Sequence, residues 1–558
     1  MKVDNTYNQY QEKFYATTNT QLTGSSVNGL YSTTEMRDRQ TYADVLLTFN
    51  KTVARDWTVN VNLGASVTDM KFYSLKNGGP IADGIIDPVI NIPNVFNVFA
   101  IAQSRLDKAQ SGWREQQQSL YGQAEIGWKG AYYLTLAGRN DWPSQLAGPR
   151  SVNKSFFYPS VGASVVLSQA LDLPEQIEYL KVRSSFASVG NAFSRFVANP
   201  MHGWSNNTSS WTSETSYPMD RLKPERTDSW EAGLSARFLD GFSLEATWYN
   251  THTKNQTFFP GISTGSGYSE IAIQSGDVLN TGVELSLGYE KSWGKFGWST
   301  SYTFSANRNE IKSLADDAVN PVTGEPLNIS SLNMGGLGNA RFILTEGGTL
   351  GDIYSRADLK RDNKDAIYVD ATGNIATQTI QKTEDYIKMG SVLPKSNMAW
   401  RNDFHFGNFS LGALITARFG GVVYSRTQAM LDFYGVSKAS ADARDKGGVL
   451  INGSDLIDAN KWYSAVGGGD TVPQFYTYSA DNVRLQEASI GYTIPRKKLG
   501  GLFDINLQIV GRNLLMIWCK APFDPEAVAS TTDNYYQGID YFMMPNTRNY
   551  GFNVRINF

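Results

Sequence analysis

Cysteine and histidine are almost absent from this sequence, and their scarcity argues against several classes of function. The one cysteine, Cys519, cannot form an internal disulfide bond, and the three histidines, His202, His252 and His405, lie far apart in the chain. No HExxH or CxxC spacing occurs, so a zinc site is not indicated. The sequence therefore predicts no cofactor, no metal site and no enzymatic activity.

Long apolar runs and an excess of charge are also missing. No run of apolar residues approaches the ~18 that a transmembrane helix requires. Lys and Arg total 50 against 53 for Asp and Glu, which gives a net charge of −3 without a basic stripe. The sequence therefore predicts no membrane-spanning helix and no nucleic-acid partner.

Aromatic residues and glycine, by contrast, are abundant. Phe, Tyr and Trp make up 13% of the chain, and there are 51 glycines, a composition typical of β-rich proteins with many turns. Near the carboxy terminus apolar residues fall on every second position, at Tyr550, Phe552, Val554, Ile556 and Phe558. The same alternation occurs in 59–67, 242–249, 283–289, 409–415 and 505–509. A period of two predicts β-strands with one apolar and one polar face.

The connections between these strands alternate in length. Short connections fall at 54–56, 128–130, 239–241, 292–295, 406–408 and 495–501, and long ones at 73–112, 191–221, 258–275, 314–338, 358–394, 426–480 and 518–545. Tight turns at one end and long loops at the other are typical of a membrane β-barrel. Counted this way, the chain contains about 18 strands, with a margin of about two, because 339–357 fits either one strand or a tight pair; the parity of the count favours the pair. We predict an all-β, antiparallel transmembrane β-barrel with periplasmic turns and outward loops.

Aromatic residues also gather near the strand ends. Examples are Trp57, Trp128, Trp293, Trp298, Phe406, Tyr492 and Phe558. This placement predicts aromatic girdles at the two membrane interfaces, although aromatic residues also favour strands in general. Because a closed barrel has no edges, its last strand is expected to pair with its first.

Six segments resemble the SusC/RagA family of TonB-dependent outer-membrane transporters of Bacteroidetes. They are GRNDWPSQL (138–146), SFASVGNAF (185–193), LKPERTDSWEAGLSARFLDGFSLEATWYN (222–250), GDVLNTGVELSLG (276–288), DNVRLQEASIGYTIP (481–495) and GRNLLMIWCKAPFDPE (511–526). The resemblance implies import of oligosaccharides or peptides across the outer membrane. It also implies a SusD-like surface lipoprotein, the TonB complex and outer-membrane lipids as partners.

The domain organisation follows from the same resemblance. The resemblance implies a barrel of about 22 strands with an amino-terminal plug inside it. This chain shows no segment that reads as a plug, a TonB box or a signal peptide. We therefore expect residues 1–558 to be the C-terminal part of such a barrel, with about 18 of the 22 strands and without the plug through which TonB acts.

Aromatic side chains in the outward loops are the candidate cargo-binding residues. They are Trp204, Trp211, Trp462, Tyr463, Tyr535 and Tyr536. Flat rings beside polar residues suit sugar faces and peptide groups, but they also suit contacts between loops or with a partner lipoprotein. Glu245, Glu284, Asn553 and Arg555 are expected to face the barrel interior.

Two acidic segments are further candidate sites. KRDNKDAIYVDATG (360–373) contains Asp362, Asp365 and Asp370, but it lacks the spacing of an EF-hand and is expected to be a solvated loop. FDPE (523–526) is expected to be a proline turn with solvated carboxylates.

Three other functions remain open from the sequence. A siderophore or cobalamin receptor would share the barrel and differ in its pocket. A secreted soluble adhesin or lectin would bury its apolar faces between sheets. An outer-membrane barrel enzyme would need a catalytic constellation at the rim, which the scarcity of histidine disfavours.

Overall fold

A computed structural model of the chain describes most of its length. The described residues are 2–15, 28–82, 92–102, 105–197, 203–205, 209–212, 216–217, 222–259, 268–271, 273–274, 276–314, 329–469, 471–530 and 536–557.

The described residues are built on one antiparallel sheet of 16 strands, in which each strand pairs with the next of these strands along the chain. The strands are β1 Lys2–Tyr15, β2 Leu30–Ala54, β3 Trp57–Pro80, β4 Asp107–Trp128, β5 Tyr132–Pro143, β6 Phe156–Val166, β7 Ile177–Asn191, β8 Glu225–Phe238, β9 Phe242–Lys254, β10 Asp277–Trp293, β11 Phe296–Ser313, β12 Ser396–Phe406, β13 Phe409–Phe419, β14 Asn482–Ile494, β15 Asp504–Cys519 and β16 Asn549–Asn557. The predicted all-β antiparallel architecture is confirmed. Among the described residues no helix combines the length and the apolar character needed to cross a membrane.

The difference between about 18 predicted strands and the 16 observed lies in residues 339–357. These residues do form a tight strand pair, Ala340–Thr345 with Asp352–Ser355. The pair belongs to a separate four-stranded sheet with Ser331–Leu337 and Ile387–Ser391. Alternation and a tight turn predict a hairpin, but they do not say which sheet it joins.

The connections separate by length as predicted. At one end of the sheet they are short, at 55–56, 129–131, 167–176, 239–241, 294–295, 407–408 and 495–503. At the other end they are 16–29, 81–106, 144–155, 192–224, 255–276, 314–395, 420–481 and 520–548. The loop expected at 73–112 is shorter, because β3 continues to Pro80 and β4 begins at Asp107.

The two faces of the sheet differ in polarity. Leu411, Ile490, Ile509 and Phe552 lie directly opposite one another on β13 to β16, and each is more than half exposed. So large an exposed apolar surface is not stable in water, but it suits contact with lipid. We call this the outer face and the opposite one the inner face.

Aromatic side chains border the outer face beside the short connections. Trp57 stacks on Trp128 with ring centroids 6.0 Å apart, and Trp128 contacts Tyr132 at 5.2 Å. In a second group the rings of Phe409 and Tyr492 are in contact, with centroids 4.7 Å apart. The predicted girdle is thus present as contacting rings at this end of the sheet.

Strands β1 and β16 form the two ends of the sheet and, within the described residues, do not pair with each other. The expected pairing of first and last strands is therefore not seen. The absence of a plug stays a prediction from the sequence.

Three long connections, 314–395, 420–481 and 520–548, pack together through their described residues into a folded unit that we call the lip. Its core joins buried residues from all three connections, including Phe342, Tyr424, Trp462 and Ile539. Strand Val422–Ser425 pairs with Thr477–Ser479 on one side and Ile539–Asp540 on the other. Sequence reasoning described these segments only as long loops.

The remaining elements are short. The helices are α1 Leu167–Ala170, α2 Arg426–Phe433, α3 Lys438–Asp445 and α4 Ala459–Gly467, with 3-10 turns at Val98–Ala100, Ser144–Ala147, Thr383–Asp385, Pro473–Tyr476 and Arg496–Lys498. Short strands outside the main sheet are Gly203–Ser205, Ser210–Thr212, Ser216–Tyr217, Thr257–Phe258, Glu270–Ile271, Ile273–Gln274, Ala357–Leu359, Thr377–Thr379, Val449–Ile451 and Asp455–Ile457.

Candidate functional site

Trp204 and Trp211 form an exposed pair at the long-loop end. Strands Gly203–Ser205 and Ser210–Thr212 pair so that the two tryptophans lie directly opposite each other. Their rings meet edge to face, with centroids 5.3 Å apart. Trp204 remains 52% exposed and Trp211 70% exposed. Two rings that stabilise each other and still face solvent offer an apolar contact surface.

Trp462 and Tyr463 have different surroundings, since both lie on α4 inside the lip. Trp462 is buried in the lip core and contacts the ring of Phe475 edge to face at 5.4 Å. Tyr463 is half-buried against the same core, and burial, with the nearby Asp432 and Asp442 carboxylates, raises its pKa. Trp462 therefore stabilises the lip and offers no ring to a ligand in this arrangement.

Of the last predicted pair, Tyr535 lies outside the described residues, as does His202 among the histidines. Tyr536 is 37% exposed and lies close enough to Arg341 to interact with it electrostatically. The five aromatic candidates that the structure describes thus do not form one cluster. They divide between an exposed hairpin, the lip core and the surface near Arg341.

The inner face of the sheet is polar, as expected for a barrel interior. Glu245 and Glu284 line a cavity of about 350 Å³ on the inner face of β9 to β12, together with Thr247 and Asn397. Asn553 and Arg555 alternate with the outer-face residues of β16, opposite Gln508 and Asn506 of β15. Their position on the inner face agrees with the prediction.

An ion-paired row also crosses the inner face. Arg401 pairs with Asp403 at 2.6 Å and with Glu487 at 3.6 Å, and Arg512 reaches Glu487 at 2.9 Å. Strand β13 lies between β12 and β14 and has Gly412 at this point, where a Cβ would sit 2.8 Å from Asp403 Oδ1. The missing side chain lets charged groups meet across an intervening strand.

The carboxylates of the FDPE segment are not simply solvated, which corrects the expectation from sequence. Arg484, only 4% exposed, pairs with Asp524 at 2.9 Å and with Glu526 at 3.2 Å. Asn546 also donates to Asp524, at 2.8 Å. Burial alone would raise the pKa of Asp524, but the hydrogen bonds from Arg484 and Asn546 hold it below its usual value. The cluster fastens the 520–548 connection to the end of β14.

A sequence signal for Arg484 did exist. The apolar positions of 482–494 change phase between Leu485 and Ala488, and the structure has a register shift there. Such bulges are often found where a strand re-aims a side chain.

The acidic residues of 360–373 cap turns. Asp362 Oδ1 accepts backbone hydrogen bonds from Lys364 and Ala366. Asp370 Oδ1 accepts from Thr372 and Asn374, and these bonds, with the Thr372 hydroxyl as the largest cause, lower the pKa of Asp370 to about 2. Within the described ranges no group of three or more His, Cys, Asp or Glu side chains could hold a metal ion.

Comparison with known families gives a match over most of the chain. The family model described as TonB dependent receptor-like, beta-barrel matches residues 2–392. TonB-dependent receptor P3 of Formosa agariphila is 24% identical over 478 residues, which cover 79% of this chain and 45% of the relative. TonB-dependent receptor SusC of Bacteroides thetaiotaomicron is 23% identical over 348 residues, or 58% of this chain and 32% of the relative. The chain thus spans less than half the length of these curated relatives.

Among solved structures, the RagAB peptide transporter superposes with a TM-score of 0.76 at 16% identity, covering 100% of this chain and 59% of the other. The RagAB peptide importer in its open-open state gives a TM-score of 0.75 at 15% identity, with 100% and 58% covered. These likenesses show a shared fold.

Proposed function

The chain belongs to the TonB-dependent receptor-like β-barrel family, and from that premise we propose that it forms the wall and outer mouth of a nutrient importer. The barrel is an outer-membrane one. The proposed cargo is oligosaccharide or peptide, too large for a simple porin. The chain supplies a conduit and changes no covalent bond in the cargo.

The observation that carries this proposal is the contrast between the two faces of one sheet. The outer face exposes ladders such as Leu411, Ile490 and Ile509, whereas the inner face carries Glu245, Glu284 and the Arg401 ion-paired row. A soluble adhesin or lectin would bury its apolar face between sheets. An apolar exterior around a polar interior instead fits a pore through lipid.

Partners follow from the family. We propose that a SusD-like surface lipoprotein covers the lip and that the TonB complex drives import through a plug. The exposed Trp204 and Trp211 rings would contact cargo or this lipoprotein as cargo passes. A siderophore or cobalamin receptor is the less favoured function, because the named relatives include SusC and the RagAB peptide transporter.

The test is uptake by cells with and without the protein. A deletion strain and the same strain complemented with the gene would be given fluorescently labelled oligosaccharide and peptide pools. Each uptake would be measured with and without an uncoupler that abolishes the proton gradient. We expect gradient-dependent accumulation of one pool only in the complemented strain. A small sugar that passes ordinary porins is the control and should enter both strains equally. If the two strains took up each pool equally, the proposal would be refuted.

A further inference from the structure

Two arginines of the lip lie side by side on one small sheet. Arg341 belongs to the strand Ala340–Thr345 and lies opposite Tyr354 of the strand Asp352–Ser355. Arg356 follows two residues after Tyr354, and its backbone N–H donates to Asn339 O at 2.8 Å. Arg356 is therefore the diagonal neighbour of Arg341. Such neighbours are about 7–8 Å apart, which long side chains span easily.

Neither guanidinium has an acidic partner among the described residues. Arg341 Nη1 donates to the carbonyl of Ala340 at 3.2 Å. Arg356 Nε is buried and has no hydrogen-bond partner within the described part of the chain. Both side chains are partly buried. Burial and the nearby positive charge of Arg356 lower the pKa of Arg341.

Other cations of the lip are arranged differently. On the same small sheet Lys388 pairs with the buried carboxylate of Asp352, and Arg361 pairs with Asp365 at 3.7 Å. Arg426 of the lip likewise has no ion pair among the described residues, but its Nη1 donates to the carbonyl of Gly468 at 2.9 Å, whereas Arg356 Nε has no such acceptor there. Tyr386 and Tyr536 lie close enough to Arg341 to interact with it electrostatically, and both phenols can donate a hydrogen bond to an anion.

Two cations held together partly out of water are unfavourable unless an anion joins them. A guanidinium stays charged at every physiological pH and presents paired N–H groups in a plane, which matches the two oxygens of a carboxylate. Two guanidiniums with neighbouring phenols give more donors than one carboxylate needs. Together these groups have the donors needed to bind both oxygens of one carboxylate.

We propose that Arg341 and Arg356 form a carboxylate-binding site in the lip, and that they hold cargo bearing a carboxylate before it enters the barrel. The inference rests on the proposed import function and sharpens its cargo class. A uronate residue of an oligosaccharide and the terminal carboxylate of a peptide share the required chemistry. Tyr536, chosen from sequence as a candidate cargo residue, lies at this site.

The experiment measures binding of matched probes to the full protein in outer-membrane vesicles. One pair is tetragalacturonate and its methyl ester, and the other is a pentapeptide and its C-terminal amide. We expect a free carboxylate in at least one pair to bind about tenfold or more tightly than its neutral counterpart, since hydrogen bonds to charged groups are strong. The difference should shrink as salt is raised.

Variants then locate the effect. Arg341→Gln and Arg356→Gln should each reduce the ratio of affinities for the charged and neutral probes to near one. Arg356→Lys should keep part of the preference, because lysine supplies the charge without the planar guanidinium. Arg361→Gln is the matched control, an exposed lip arginine that should keep the full preference. Gel mobility of unheated samples would verify that each variant is folded, and tryptic digestion would verify that the lip is intact.

The outcomes separate this inference from the proposed function. Equal binding of charged and neutral probes in both pairs would overturn the carboxylate site, and so would a preference that survives both Gln variants. Continued gradient-dependent uptake in either case would leave the import function standing. A preference seen in only one pair would identify the source of the carboxylate.

Discussion

The assignment of the outer face leads to a sharp test on strand β15, where adjacent residues point in opposite directions. Ile509 lies on the outer face, is 56% exposed, and sits between Ile490 and Phe552 on the neighbouring strands. Gln508, one residue earlier, points to the inner face. We expect Ile509→Arg to destabilise the folded barrel strongly and Gln508→Arg to be tolerated.

The magnitude follows from the depth of Ile509 in the membrane. It lies five residues after Asp504, the first residue of β15 at the short-turn end, or about 16 Å along the strand at ~3.3 Å per residue. A strand tilt of about 40° reduces this to a depth of ~12 Å, which is the middle of an apolar band about 25 Å tall. An arginine on the lipid face at that depth costs about 2–4 kcal/mol.

The assay is reversible unfolding in guanidinium chloride with phospholipid vesicles present, followed by the mobility of unheated samples on gels. Gln508→Arg should lie within about 1 kcal/mol of wild type, because a barrel interior accepts charge. The face assignment would be refuted if Gln508→Arg cost as much as Ile509→Arg, or if both variants were neutral.

Three further outcomes concern the lip. Arg484→Gln should weaken the attachment of the 520–548 connection by about 2 kcal/mol. This is less than the ~3–5 kcal/mol expected for breaking a fully buried pair, because Asp524 and Glu526 reach solvent. Chymotrypsin should then cut at Tyr541 and Phe542 faster than in wild type, whereas the control variant Arg496→Gln should be cut at the wild-type rate. Because the pKa of Asp524 is lowered in the folded protein, its carboxylate stabilises the same attachment above pH ~4, and this stabilisation is lost as the pH falls through the lowered pKa. Pepsin should therefore cut the 520–548 connection faster at pH 2 than at pH 4, and the ratio of the two rates should be smaller in Arg484→Gln than in wild type. Trp462→Ala should destabilise the lip by about 3–5 kcal/mol, whereas Trp211→Ala should cost at most about 1 kcal/mol, as measured by the temperature at which the lip becomes sensitive to protease.

The main sheet could be predicted because its determinants are local. Alternation in a segment such as 505–509 shows both that a strand forms and which residues share a face, and the short connections fix where it turns. The strand count was too high by the pair at 339–357, which has the local features of a sheet hairpin. Its membership in a separate sheet depends on Ile387–Ser391, a partner distant in sequence.

The lip could not be predicted for a related reason. Its core joins Phe342, Tyr424 and Ile539, residues about 80 to 200 positions apart in segments that show no strict period. Trp462 illustrates the consequence, since a tryptophan in a long loop reads as an exposed ring until the partners that bury it are known. Arg341 and Arg356 are likewise invisible to a search for motifs, because their signal is a spatial one: neither has an ion pair with an acidic side chain of the described residues.

The two candidate cargo contacts differ in how firmly the fold holds them. Within the described part of the chain, the Trp204 and Trp211 hairpin consists of two three-residue strands that pair only with each other, so we expect its rings to shift with little cost to the rest of the fold. Arg341 instead lies on a sheet whose other side contributes Phe342 to the lip core, and that core is fastened to the barrel through Arg484. Directional hydrogen bonds to a carboxylate require donors held in place, while apolar ring contacts tolerate movement. A rigid ion-binding platform and a pliable pair of rings at one mouth would therefore let charge determine which cargo is retained, while the rings accept a range of shapes.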